Sequence, residues 1–181
     1  MRDHILTVEE VRSYGRPISP KVSEEKLLSY IYETEQLSVK PLLGDRLFSV
    51  VMGKLKNDEP LDDGDPIKTL LDGGEYTDRH GAFHIFSGLR MAMSYYVYAQ
   101  YVMDGDFQPT RAGMVVKEGG YSQHISSKER SDCYNNALST AQSFMNEVVQ
   151  FVRHQFPDYY RGSNSNAASP QHSIIIRKIG E

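Results

Sequence analysis

The chain has 181 residues, 39% hydrophobic and 24% charged, with a formal net charge of −4, which is enough for one domain with a real apolar core and far from a disordered composition. The acidic balance, with no basic stripe, argues against specific binding of duplex nucleic acid. A single cysteine, Cys133, leaves no disulfide within the chain, so a reducing cytoplasm is expected, with Cys133 read as a small buried apolar residue.

The opening MRDHILTVEE carries no apolar run behind its basic residue, so neither a signal peptide nor an anchor is expected. LTVEEVRSYG predicts a short helix, with Thr7 as N-cap, Glu10 completing a capping box and Gly15 as the stop. VSEEKLLSYIYETEQLSVKP predicts a second, capped by Ser23, with Glu24 and Glu25 in the first turn where the helix dipole favours them. Its inward stripe is Leu27, Ile31 and Thr34, flanked by Leu28 and Leu37, and Pro41 should end or kink it at Lys40. Helix resumes in LLGDRLFSVVMGKL, with Leu47, Val50 and Val51 at helical spacing, and fades into the loop KNDEPLDDGDP.

A short helical turn at PIKTLLDGG leads into GEYTDRHGAFHIF, read as a hairpin with DRHG as its turn and Tyr76, Phe83 and Ile85 as its apolar side. The next segment, SGLRMAMSYYVYAQYVMDGD, is apolar on nearly every face. Arg90, Gln100, Asp104 and Asp106 interrupt it too often for a membrane span, so it predicts a core helix capped by Ser87 and stopped by Gly105. Leu89, Met93, Tyr96 and Val97 are its expected core contacts. Tyr95, Tyr98 and Val102 share one face while Tyr96 and Gln100 share another, a polarity difference suited to an interface beside a core. Residues 106–125 predict an extended loop with at most a strand at MVV. The longest helix should run from Ser126 to about Phe156 along Tyr134, Ala137, Ala141, Met145, Val148 and Val152, widened by Leu138, Phe144 and Val149, and end at Pro157. A polar linker then leads to SIIIRKI, a strand-like run standing beyond any domain. Its Ile174, Ile175 and Ile176 suit strand addition to a sheet edge of a partner; a disordered tail, or a strand folded back onto the hairpin of its own subunit, is the alternative.

Chemistry-bearing patterns are sparse. His80 and His84 in HGAFH are half of a zinc set at most, and ordinary polar hairpin residues are the preferred reading. The acidic run from Asp58 to Asp65 lacks the spacing of a calcium loop and reads as a solvated loop. The pairs Gly73–Gly74 and Gly119–Gly120 lack the setting of a phosphate loop and read as hinges or turns, no Gly-x-Ser-x-Gly elbow occurs, and Glu33 and Glu35 read as carboxylates that solvate their helix. No catalytic, cofactor or metal residue is assigned, and an enzyme is not expected. Residues 61–86 carry two basic against six acidic side chains and alone account for the net charge.

The order ETEQLSVKPLLGDRLF, LLDGGEYTD and GLRMAMSYYVYAQYVMDGD, followed by a polar loop and one long final helix, resembles the head-tail connector proteins of tailed phages and prophages. The resemblance covers most of residues 5–160. It implies a structural virion subunit, assembled in the host bacterial cytoplasm, that closes into a homo-oligomeric ring of about twelve copies. Such a ring docks to the portal protein and a downstream tail or stopper protein, and passes DNA without sequence-specific binding. Carboxylates near such a lumen would repel phosphates; Arg111 and Lys117 on the long loop are the basic side chains that could touch DNA, with solvent-facing loop charges the preferred reading of both. Expected overall are a mainly α bundle of about four long helices with a small β-hairpin or extended loop (residues 1–160), a flexible C-terminal arm with a terminal strand (161–181), and no membrane contact. A non-enzymatic helical interaction module, or a metal-dependent hydrolase using His80 and His84, are the alternatives.

Overall fold

The computed structural model describes residues 2–57, 59–104, 107–110, 113–116 and 126–161. It is mainly α. In chain order the elements are α1 (Val8–Tyr14), α2 (Glu24–Thr34), a π-helical turn (Glu35–Val39), α3 (Lys40–Lys56), α4 (Pro66–Asp72), β1 (Gly74–Thr77), β2 (Phe83–Phe86), α5 (Gly88–Asp104), β3 (Phe107–Thr110), β4 (Gly113–Val116), α6 (Ser127–Gln155) and α7 (Pro157–Arg161). Among the described residues no helix is long and apolar enough to cross a membrane.

Two capping boxes set the ends of the bundle. Thr7 accepts from the Glu10 amide while Glu10 reaches back to the Thr7 amide, and Ser126 and Glu129 do the same at the start of α6. Ser23 stands at the N-cap of α2, but its side chain makes no cap hydrogen bond. α5 is the central rod: it packs chiefly on α6 and also on α1, α2 and α4, which is why it has no polar face. Leu89, Met93 and Val97 are fully buried and Tyr96 nearly so, and each large apolar side chain contributes ~1.5–3 kcal/mol of burial. From α6 come Ala137, Leu138, Ala141, Met145, Val148 and Val152, together with Phe151, a core residue that the expected stripe omits. Tyr134 and Phe144 pack against the edge of this core.

Several expectations are corrected. Leu27, Ile31 and Thr34 are buried, but Leu28 and Leu37 are 38% and 72% exposed, and Val50 also faces outward. Helix does not stop at Lys40. The Lys40 amide donates to the Glu35 carbonyl, a five-residue step that widens the helix into a π turn. An α-helix would require an N–H that Pro41 lacks and would press its ring on the Leu37 carbonyl; the wider turn relieves both, and Lys40 keeps helical angles. The real break comes at Gly44, with φ 76° and ψ 155°. Cys133 is exposed on α6 instead of buried: it stands four residues before Ala137, at helical spacing, but in the first turns of α6, where no residue before Ala137 is buried.

β1 and β2 form the expected antiparallel hairpin, in the register Tyr76↔His84 and Thr77↔Phe83. Phe83 and Ile85 do not join Tyr76 on its apolar side; they project from the other face. The MVV strand is present as part of β4, and β3 pairs with it antiparallel from Phe107↔Val116 to Thr110↔Gly113, a second hairpin where a loop was expected. Gly73 and Gly88, with φ of 86° and 84°, cross backbone to backbone at the base of the first hairpin. A Cβ on Gly88 would lie 2.3 Å from the Gly73 nitrogen.

Candidate interaction site

The first hairpin is the best defined of the candidate surfaces. Asp78 builds its turn. One carboxylate oxygen accepts from the amides of His80 (2.8 Å) and Ala82 (2.9 Å), while the other pairs with His84 Nε2 at 3.1 Å. The Ala82 amide, then His84, hold the Asp78 carboxyl down at about 2. The inner face docks on the end of α6. Tyr76 stacks on His84 at 4.9 Å and meets Phe151 edge-on at 5.2 Å, and Phe86 stacks on Phe151 at 4.7 Å, arrangements that aromatic quadrupoles favour. A shallow cavity of about 350 Å³ lies beside this stack, lined by Asp78, Arg79, His80, His84, Gln150 and His154 among others. His84 is thus engaged by Asp78 and Tyr76, His80 is exposed, and among the described residues no three His, Cys, Asp or Glu side chains group as metal ligands.

The outer face of the same hairpin leaves Phe83 60% and Ile85 68% exposed. Alternation along the ladder adds a backbone feature. Asp78 donates its amide to the Ala82 carbonyl at 2.9 Å, so Tyr76–His84 is the next hydrogen-bonded pair, while Thr77–Phe83 and Glu75–Ile85 are non-hydrogen-bonded pairs. Phe83 and Ile85 therefore turn their backbone N–H and C=O groups toward the free edge of β2.

Tyr95 and Tyr98 lie half-buried on α5. The Arg16 guanidinium sits over both rings, at 6.0 and 5.6 Å from their centroids, and Tyr95 meets Phe144 of α6 at 5.5 Å. Arg16 also donates to Asn136. These two tyrosines are thereby tied to the α1–α2 connection and to α6 by cation–π and ring contacts. Arg111, Lys117, Ile174, Ile175 and Ile176 lie outside the described residues, as does Gly105.

Glu35 was expected to face solvent and is instead 1% exposed. Its carboxylate accepts from the Ile5 amide at 2.6 Å and pairs with His4 Nδ1 at 2.9 Å. Arg90 of α5 donates to the Ile5 carbonyl at 3.1 Å and pairs with Asp72 and, at 3.8 Å, with Glu10. Both backbone groups of Ile5 are therefore held by charged side chains from two different helices. The sequence signal for Glu35 was available in hindsight: it opens the turn that Pro41 forces out of α geometry. The acidic loop is likewise partly structural. Asp65 caps α4 through the Ile67 amide at 2.8 Å and pairs with Lys54, and Asp63 pairs with Lys68.

A family model matches residues 39–169, well over half of the chain. The chain belongs to the family of unknown function DUF6712. The DUF6712 match begins at the end of the π turn and runs through α3, both hairpins, α5, α6 and α7, so it contains Phe83, Ile85, Tyr95 and Tyr98 but neither Glu35 nor the N-terminal segment that Glu35 holds. No curated protein and no solved structure matches the chain.

Proposed function

We propose that this DUF6712 chain is a structural virion protein of a tailed phage or prophage, the subunit of a ring that connects head to tail. In this reading the ring docks to the portal protein and to a downstream tail or stopper protein, and extends the DNA channel. The order of segments in the sequence motivates it, and one observation on the fold supports it best: the described residues include distinct exposed apolar patches on separate elements. One is Phe83 with Ile85 on the hairpin; another is Leu28 with Tyr32, one turn apart on α2. A ring closed by rotation needs two different faces that meet head to tail, and exposed apolar clusters are where such contacts form.

The test is co-expression with the portal protein of a tailed phage that carries this chain, followed by native mass measurement and electron microscopy. The expected result is a closed ring of about twelve copies on the portal, lost in Phe83→Lys/Ile85→Lys while the helical circular dichroism persists. A chain that stays monomeric and fails to co-purify with the portal would overturn the reading.

A further inference from the structure

We infer that, in the free chain, residues 173–179 add as a strand to the outer edge of β2 and cover Phe83 and Ile85. This concerns the isolated subunit and holds whether or not the chain forms a ring.

The acceptor is built on both counts that strand addition requires. Phe83 and Ile85 offer apolar side chains on the outer face, and the same two residues turn their backbone donors and acceptors to the free edge of β2. Among the described residues, no hydrogen bond outside the hairpin's own ladder engages either backbone. The inner face of the hairpin already packs on α6, and what stays uncovered among the described residues is the apolar outer face and the open edge of β2, the features that an added strand covers.

The occupant follows from where the described chain ends. Phe86 at the end of β2 stacks on Phe151 at 4.7 Å, Phe151 meets Phe156 at 6.2 Å, and Phe156 meets Tyr159 of α7 at 6.1 Å. Three successive ring contacts thus join the hairpin's base to α7. Residues 162–172 can span at most about 36 Å when extended, more than the distance those contacts cover. Residues 173–179, SIIIRKI, then supply a β-branched run. Ile174 and Ile176 fall two apart on one side of an extended strand, the spacing of Phe83 and Ile85, while Ile175 shares the other side with Arg177, so the Ile174–Ile176 side is the one that covers the exposed pair. A tether this short keeps the segment at an effective concentration near the millimolar range. That favours the chain's own hairpin over that of a second copy in dilute solution.

Hydrogen exchange on the full-length chain tests this at the amides of Phe83 and Ile85. In Ile174→Ser/Ile175→Ser/Ile176→Ser those two amides should exchange at least about ten-fold faster than in the wild type, and the wild-type rates should not change across a hundred-fold dilution. Equal rates in wild type and variant would overturn the inference. So would wild-type protection that disappears on dilution, since the covering strand would then come from a second copy.

Discussion

Replacing Glu35 by alanine is the sharpest test of how the N-terminal segment is held. The side chain is buried at the opening of the π turn and accepts from the Ile5 amide at 2.6 Å, and Ile5 itself is fully buried. Alanine leaves that N–H without a partner and out of reach of water, a cost of ~1–3 kcal/mol. Loss of the contact with His4, which is about a quarter exposed, adds a smaller amount that solvent screens. The expected destabilisation is therefore ~1–4 kcal/mol, a large share of the ~5–15 kcal/mol that holds a typical domain. Glu35→Gln keeps a carbonyl oxygen for the Ile5 amide and should cost less, ~1 kcal/mol. Glu33→Ala, two residues earlier and exposed, should stay within ~0.5 kcal/mol of wild type. Urea unfolding gives the three values, and hydrogen exchange at Ile5 reports the local event, since its amide should lose protection in the alanine variant. A Glu35→Ala protein as stable as Glu33→Ala, or a glutamine variant worse than alanine, would refute the reasoning.

The remaining predictions concern the hairpin and α5. Gly88→Ala should destabilise by more than ~3 kcal/mol, combining a left-handed backbone with a Cβ that meets the Gly73 nitrogen, whereas Gly81→Ala, at φ 80° with open space around it, should cost only the ~1–2 kcal/mol of backbone strain; thermal melting of the pair checks this. Tyr96 is buried, its hydroxyl has no partner among the described residues, and burial pushes its pKa up to about 12, so Tyr96→Phe should leave stability unchanged or raise it by ~1 kcal/mol in urea unfolding. Asp78, held at about 2 against an ordinary value of 3.8, contributes stability that is complete above its ordinary value and is lost as pH falls toward 2. Carboxyl chemical shifts should show that midpoint, and Asp78→Asn should remove the pH dependence of hairpin amide exchange in that window.

Much of the bundle was legible because its periodicities are long and its caps are local. The capping boxes at Thr7 and Ser126, the stripe of α6 and the all-round burial of α5 each follow from contacts three or four residues apart. What escaped depends on residues far apart in the chain. Glu35 reads as surface until Ile5, thirty residues away, lays its amide against it. Leu37 reads as core until the π turn rotates it outward, because one extra residue per turn shifts every later side chain around the helix axis. Tyr95 and Tyr98 read as candidates for contact with another subunit, and the fold brings Arg16 over both rings.

The face of the first hairpin shows how little separates a correct reading from an inverted one. With DRHG as a four-residue turn, residue 77 would pair with 82 and Tyr76 with Phe83, placing Phe83 and Ile85 on the inward side. The strands instead pair one residue further along β2, closing a loop of Arg79, His80 and Gly81. Asp78 pairs with Ala82, the Gly81 amide donates to the Asp78 carbonyl at 3.1 Å, and Gly81 takes φ 80°, the glycine-dependent geometry of a three-residue loop. Because side chains alternate with period two, this one-residue slip in register moves every side chain of β2 to the opposite face. His84 and Phe86 turn inward onto Tyr76 and Phe151, and Phe83 and Ile85 turn out. Apolar residues on both sides of β2 give hydrophobicity no vote between these registers, so the decision falls to Asp78, whose carboxylate gathers the amides of His80 and Ala82 and the ring of His84. The exposed pair on the outer face is thus a consequence of where Asp78 closes the turn.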